Sequence, residues 1–304
     1  MSMPSQELTT SYTFHDALQE YGRIYMPSRN YATKTRHGYD QDLRDLLRFL
    51  RGRELSGPDQ VTPADLDAYL AHLDDRELAG STRRRKTYAA RSFFGYLHRA
   101  GKVPRNPAQG MIPPRSEQTE PRVLSKAEYQ TLLRACSHHP RDATIIELFL
   151  QTGIRLSELT RLQVGDVQLP GRITRDAETL GRMHILGKGR KARWIPLNHK
   201  ACRAVKTWLD VRTSEIDALF VTKFGFPMGP RAVQHTVHKY LKESGVVGAS
   251  VHTLRHTFAT HHVAQGTSLR TVQEVLGHAD LKTTSIYVQL AQEAVKRELQ
   301  EHAL

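Results

Sequence analysis

The sequence predicts a mainly α-helical chain with a small antiparallel β-sheet, divided into two domains. Three observations predict it. Apolar residues recur at helical spacing through residues 12–101. Prolines gather between 102 and 123, where that spacing stops. A single hairpin pattern, His184–Leu186 and Ala192–Leu197 around Gly187-Lys188-Gly189-Arg190, interrupts an otherwise helical second half. With 304 residues the chain is long enough for two domains that each bury a core.

The first domain, 12–101, reads as several short amphipathic helices. Leu43, Leu46, Leu47 and Leu50 fall at i, i+3, i+4 and i+7, a stripe that Gly52 ends. Thr62-Pro63-Ala64-Asp65 supplies an N-cap and a proline at the first helical position, ahead of Leu66, Tyr69, Leu70 and Leu73 on one face. A further helix, expected from Ser81, turns Ala90, Phe93 and Leu97 inward. Its other face carries Arg84, Tyr88 and Arg91 at i, i+4 and i+7. The run Arg83, Arg84, Arg85 and Lys86 is ordinarily a solvated face, but beside Tyr88 and Arg91 it reads as a surface for backbone phosphates.

Pro104, Pro107, Pro113, Pro114 and Pro121 make 102–123 an extended connector. The second domain, 124–304, opens with a capping box of Ser125 and Glu128, with Leu124 and Tyr129 as its hydrophobic staple. Leu269, Val272, Val275 and Leu276 form a core stripe, and residues from Ala291 to Leu304 are expected to form a short terminal helix.

Composition narrows the function. Lys and Arg outnumber Asp and Glu 44 to 31, a net charge of +13, which favours a polyanionic partner and above all nucleic acid. The two cysteines, Cys136 and Cys202, lie far apart without metal-ligand spacing, arguing against a disulfide framework or a zinc module. No apolar run of about 18 residues and no basic-then-apolar leader occurs, so no membrane partner and a cytoplasmic location are expected. His252, His256, His261 and His262 share one segment, yet no HExxH arrangement or third ligand accompanies them, so no metal is expected there. No Walker-type glycine loop and no dense carboxylate cluster appear, so no nucleotide or metal cofactor is called for.

Four separated pieces of the second domain carry the chemistry. They are Thr152-Gly153-Ile154-Arg155-Leu156-Ser157-Glu158, Lys188 in its glycine-flanked turn, His252-Thr253-Leu254-Arg255-His256, and Leu276-Gly277-His278 followed nine residues later by Tyr287. In this order and spacing the chain resembles the tyrosine recombinase (phage integrase) family, most closely its Xer-like members, across nearly its whole length. The resemblance implies a helical core-binding domain and a catalytic domain that together clamp duplex DNA, and a tetramer acting on two recombination sites. It implies cleavage by Tyr287 through a 3′-phosphotyrosyl bond, with no metal or ATP. Planar guanidinium groups suit the charge that builds on non-bridging oxygens, the role implied for Arg155 and Arg255. His252 is implied in proton handling near the nucleophile, and His278 in hydrogen-bonding the scissile phosphate.

A flexible lysine can protonate the leaving 5′ oxygen, which makes Lys188 the general acid, although Arg190, Lys191 and Arg193 crowd the same hairpin and Arg190 is a further candidate for DNA contact. Glu158 reads as structural support for Arg155, and His256 as a packed, hydrogen-bonded histidine next to the site. The terminal tail is implied to dock on a neighbouring subunit. The stretch Gly171–Arg182 is longer than expected of Xer-like proteins. Two rivals stand beside this reading: a type IB topoisomerase, against which the small size and first domain argue, and a DNA-binding regulator without cleavage, against which the complete residue set argues.

Overall fold

The computed structural model describes residues 12–115, 121–176, 180–187, 192–277 and Tyr287. The chain divides into two compact units, Met1–Thr119 and Glu120–Leu304.

In the first unit, α1 (Phe14–Glu20) runs through a π-helical turn, Tyr21–Tyr25, into α2 (Met26–Ser28). Next come α3 (Thr33–Arg51), α4 (Pro63–Asp75) and α5 (Gly80–Arg99). α3 and α5 run to 19 and 20 residues, so the expectation of uniformly short helices is corrected, and α5 starts at Gly80 rather than Ser81. Thr62 caps α4 through a reciprocal box with Asp65, with Pro63 just inside the helix. Leu43, Leu50, Leu66, Tyr69, Leu73, Phe93 and Leu97 are fully buried in one core. Burying each such side chain contributes about 1.5–3 kcal/mol. Val103, Ala108 and Met111 also belong to that core, so the first part of the proline-rich stretch is packed rather than a free connector.

The second unit opens at α6 (Lys126–Cys136), capped by the Ser125–Glu128 box. α7 (Pro140–Thr152) is its centre, packed against α6, α9 (His199–Val211), α10 (Pro230–Glu243) and α11 (Val251–Ala264). The short α8 (Leu156–Leu159) follows α7 after a sharp turn, and α12 (Leu269–Leu276) packs on α11. In α12, Val272 and Leu276 are buried, whereas Leu269, expected in the same core stripe, is 37% exposed at the start of the helix.

The sheet is antiparallel, ordered β1 (Val167–Gln168), β2 (Gly181–Leu186), β3 (Ala192–Leu197). β2 begins three residues before the expected strand because Gly181 and Arg182 still pair with Leu197 and Pro196. The two-residue β1 is too short for a periodic pattern to announce it. Met183, Ile185, Ile195 and Leu197 face the core, and the cross-strand pair His184 and Trp194 faces outward. Among the described residues, no helix is long and apolar enough to cross a membrane. The expected terminal helix, 291–304, lies outside the described residues.

Candidate active site

Two helix ends set the site. α7 stops at Gly153, whose φ of +59° is the left-handed conformation that ends helices and favours glycine. A Cβ there would stand 2.5 Å from a Phe258 ring carbon and 2.6 Å from Leu276, so the turn also needs the missing side chain for space. Two residues later Arg155, in extended conformation, is the N-cap of α8. α12 stops in the same way at Gly277, φ +63°.

These ends hold the two predicted arginines. Arg155 donates from Nη1 to Glu158 Oε1 at 2.9 Å and from Nη2 to the Gly277 carbonyl at 2.6 Å. Its side chain remains 34% exposed. Arg255, on α11, is 7% exposed and donates to the carbonyls of Gly153 and, at 2.9 Å, Leu276. Each guanidinium is thus aimed by carbonyls released where a helix ends. Burial, reinforced by the nearby Arg155 charge, pushes the Arg255 pKa down to about 10, which leaves the group charged at neutral pH.

Glu158, 5% exposed, lies beneath Arg155. Its carboxylate also accepts the Arg155 backbone N–H at 3.0 Å and two bonds of 2.9 Å from Arg193. Burial alone would raise this carboxyl, but the hydrogen bonds and charge of Arg193 and Arg155 outweigh it and hold it below the usual carboxylate range.

In the sequence Arg193 is one of several cations that crowd the hairpin, with no role of its own. One signal could have singled it out. Arg193, Ile195 and Leu197 alternate along β3, and Arg193 pairs with the buried Ile185, so the arginine occupies an inward-facing strand position.

Tyr287 is 2% exposed and packs with Phe258, Ala259, Val272 and Leu276. Burial raises the pKa of its hydroxyl, and the positive charges of Arg255 and Arg155 act in the opposite direction. Among the described residues, His256 is hydrogen-bonded to it, with Nδ1 3.2 Å from the hydroxyl oxygen. Burial and then the neighbouring His252 and Arg255 lower the His256 pKa, favouring a neutral ring. His252, one turn earlier on α11, is exposed. The structure therefore brings together Arg155, Arg255 and Tyr287 and adds His256, Glu158 and Arg193. Lys188, Arg190 and His278 lie outside the described residues. Among the described residues there is no group of three or more His, Cys, Asp or Glu able to hold a metal ion.

On the basic face of α5 the candidates separate into two sets. Arg83 is ion-paired to Asp74, and Arg85 to Asp42. Lys86 is buried, with Nζ 2.8 Å from Asp45 and 3.4 Å from Asp42. Arg84 instead lies over the ring of Tyr88, 5.6 Å from its centroid, and Tyr88 and Arg91 are exposed.

Residues 122–294 match the phage integrase family, and residues 18–101 match the phage integrase N-terminal SAM-like domain. Tyrosine recombinase XerC of Pseudomonas syringae pv. tomato is 35% identical over 282 residues, which cover 90% of this chain and 91% of that protein. Tyrosine recombinase XerC of Roseiflexus castenholzii is 31% identical over 293 residues, covering 92% and 90%. Among solved structures, XerH site-specific recombinase bound to palindromic difH substrate superposes with a TM-score of 0.73 at 18% identity, covering 98% of each chain. A lambda integrase tetramer bound to a Holliday junction gives 0.74 at 19% identity, covering 92% of this chain and 78% of that one. At these identities the solved structures speak for the fold, while the family match and the XerC relatives span both units: the chain belongs to the phage integrase family, as a Xer-like tyrosine recombinase.

Proposed function

We propose that this chain cuts and rejoins duplex DNA at specific sites, with Tyr287 as the nucleophile. One observation carries the reading: the Tyr287 hydroxyl rests on a histidine held neutral while two arginine charges act on the same group. A phenol of reference pKa about 10 is protonated at neutral pH and gains from a nearby base and from positive charge as it attacks. In the step proposed, the tyrosyl oxygen bonds to phosphorus and the bond from phosphorus to the 5′ oxygen breaks. The phenolic proton passes to His256, which takes the part expected of His252. Arg155 and Arg255 bind the non-bridging oxygens, where negative charge accumulates. Lys188 protonates the departing 5′ oxygen, and His278 hydrogen-bonds the phosphate. Attack by a 5′ hydroxyl from a second duplex reverses the chemistry, so the energy of the phosphodiester is conserved and no ATP is consumed.

By analogy with lambda integrase, crystallised as a tetramer on a Holliday junction, four copies act on two paired sites in the cytoplasm. The two units divide the work, the first gripping DNA through Arg84, Tyr88 and Arg91 and the second performing cleavage. The test is a nicked duplex, its site selected from random sequence by binding to the protein, that releases a short strand on cleavage and so traps the adduct. The wild-type chain is expected to accumulate covalent adduct with or without a chelator. Tyr287→Phe is expected to bind the duplex and form none, and an undiminished adduct from this variant would overturn the assignment.

A further inference from the structure

We infer that Arg193 is a positioning residue for Arg155, fixing both acceptors that aim the Arg155 guanidinium at the scissile phosphate. The inference rests on the reading of Arg155 as a phosphate ligand. Arg155 is oriented by two acceptors, the Glu158 carboxylate and the Gly277 carbonyl. Arg193 holds the first directly, by two parallel bonds of 2.9 Å to the two carboxylate oxygens. It holds the second through the chain, because its Nε donates at 3.0 Å to the carbonyl of Val275, two residues before Gly277. The contact at that turn is close: a Cβ on Gly277 would lie 3.0 Å from the Arg193 Cζ and 3.2 Å from the Arg155 Nη1.

The chemistry of the side chain suits this task. The planar fork satisfies both oxygens of Glu158 while its third nitrogen reaches a different element, a geometry that a lysine ammonium cannot reproduce. Arg193 is only 16% exposed, against 34% for Arg155, so of the two cations on Glu158 it is the one turned inward. Glu158 stands between them and screens their mutual repulsion, allowing two guanidinium groups to share one small region. Arg193 also belongs to β3, whereas Glu158 lies on α8 and Val275 on α12. A single side chain therefore ties the return strand of the hairpin to the two segments that frame Arg155.

The experiment compares Arg193→Gln and Arg193→Lys with wild type in single-turnover cleavage of the nicked duplex, using two forms of the scissile group. One is the ordinary phosphodiester and the other a methylphosphonate, which lacks the charged non-bridging oxygen. A misaimed phosphate clamp slows the charged substrate and matters little on the neutral one, because there is less charge to stabilise. Both variants are expected to cleave the phosphodiester about 10- to 100-fold more slowly than wild type, the cost of a small displacement of a catalytic group. On the methylphosphonate each is expected to match wild type within about 3-fold, well inside that displacement cost. The ratio of the two rates is internal to each protein sample, so partial unfolding, which lowers both equally, leaves it unchanged. Equal slowing on both substrates, or wild-type rates on both, overturns the inference. Arg155→Ala separates this from failure of the underlying reading. If that variant retains wild-type phosphodiester cleavage, the role of Arg155 itself is wrong. If it collapses while Arg193→Gln does not, the positioning role alone is wrong.

Discussion

His256 Nδ1 and the Tyr287 hydroxyl oxygen lie 3.2 Å apart, with the two rings 5.7 Å between centroids. The hydroxyl donates to Nδ1 when the imidazole is neutral and protonated on Nε2. Burial together with His252 and Arg255 lowers the His256 pKa, so the neutral ring prevails at neutral pH. Replacing it with Ala is expected to slow single-turnover cleavage about 100-fold or more, the usual contribution of a positioned proton acceptor, while leaving DNA binding intact. The sign of the pH dependence follows. Above the ordinary histidine value of about 6.5 the ring is neutral in the folded chain and the bond stands. As pH falls through the lowered pKa, Nδ1 is protonated, so cleavage declines on the acid side at a midpoint below that value. A pH–rate profile of wild type with an acid limb centred above 7, or one unchanged in His256→Gln, contradicts this.

Glu158→Gln tests the buried carboxylate. At 5% exposure between Arg155 and Arg193, the carboxylate is the counter-charge for both, and removing it leaves two close cations opposed only by a neutral amide. Unfolding free energy is expected to fall by about 3 kcal/mol, typical of breaking a buried ion pair, which chemical denaturation measures at neutral pH. Because the folded pKa of Glu158 is lowered, its stabilisation is present above the unfolded carboxylate value of about 4.3 and is lost as pH falls through the folded pKa. The wild-type advantage over Glu158→Gln is therefore expected to shrink only below about pH 4.3. An advantage that disappears between pH 5 and 7 would refute the assignment.

Gly153→Ala and Gly277→Ala separate backbone strain from crowding. Both glycines sit at positive φ, where an L-residue costs about 1–2 kcal/mol. The new Cβ of Gly153→Ala meets Phe258 at 2.5 Å within the apolar cluster around Tyr287, so this variant is expected to lose more stability than strain alone explains. Gly277→Ala instead presses on the Arg193 and Arg155 guanidiniums, 3.0 and 3.2 Å away, and is expected to lose cleavage more than stability. Melting temperature and single-turnover rate, measured on both variants, should rank them in opposite orders.

The particular residues show what a sequence can and cannot disclose. Arg155 and Arg255 were legible because the motifs that carry them, Thr152-Gly153-Ile154-Arg155 and His252-Thr253-Leu254-Arg255, stand in an order and spacing that resemble the phage integrase family. The partnership of Arg193 with Glu158 was not, since 35 positions separate them and only the pairing of β3 with β2 brings the arginine inward. His256 and Tyr287, 31 positions apart, meet for the same kind of reason. The resemblance implies proton handling for His252 and only a packed place beside the site for His256, whereas it is His256 that lies against the Tyr287 hydroxyl and His252 is exposed. The run Arg83 to Lys86 was ambiguous from the start, because its acidic partners come from α3 and α4 rather than from its own helix.

That run yields the last prediction, a division between binding and folding within four neighbouring residues of α5 and the turn that follows. Arg84 is exposed over Tyr88 and Arg91 is exposed one to two turns later, whereas the Lys86 ammonium lies buried between Asp42 and Asp45. An exposed cation that neutralises a DNA phosphate releases a counterion, so Arg84→Ala and Arg91→Ala are each expected to reduce the slope of log affinity against log salt by about 1. Their melting temperatures should stay close to the wild-type value, because both side chains are exposed and the Arg84 contact with Tyr88 lies on the surface. Lys86→Met is expected to do the reverse. It removes the cation shared by two carboxylates, one of them 3% exposed, and should lower unfolding free energy by about 3 kcal/mol. Its salt slope should remain that of wild type, since an ammonium already occupied by two carboxylates displaces no counterion from DNA. Binding isotherms at four salt concentrations, with thermal melts of the same preparations, decide it; a reduced slope in Lys86→Met at unchanged stability would place that lysine on the DNA instead.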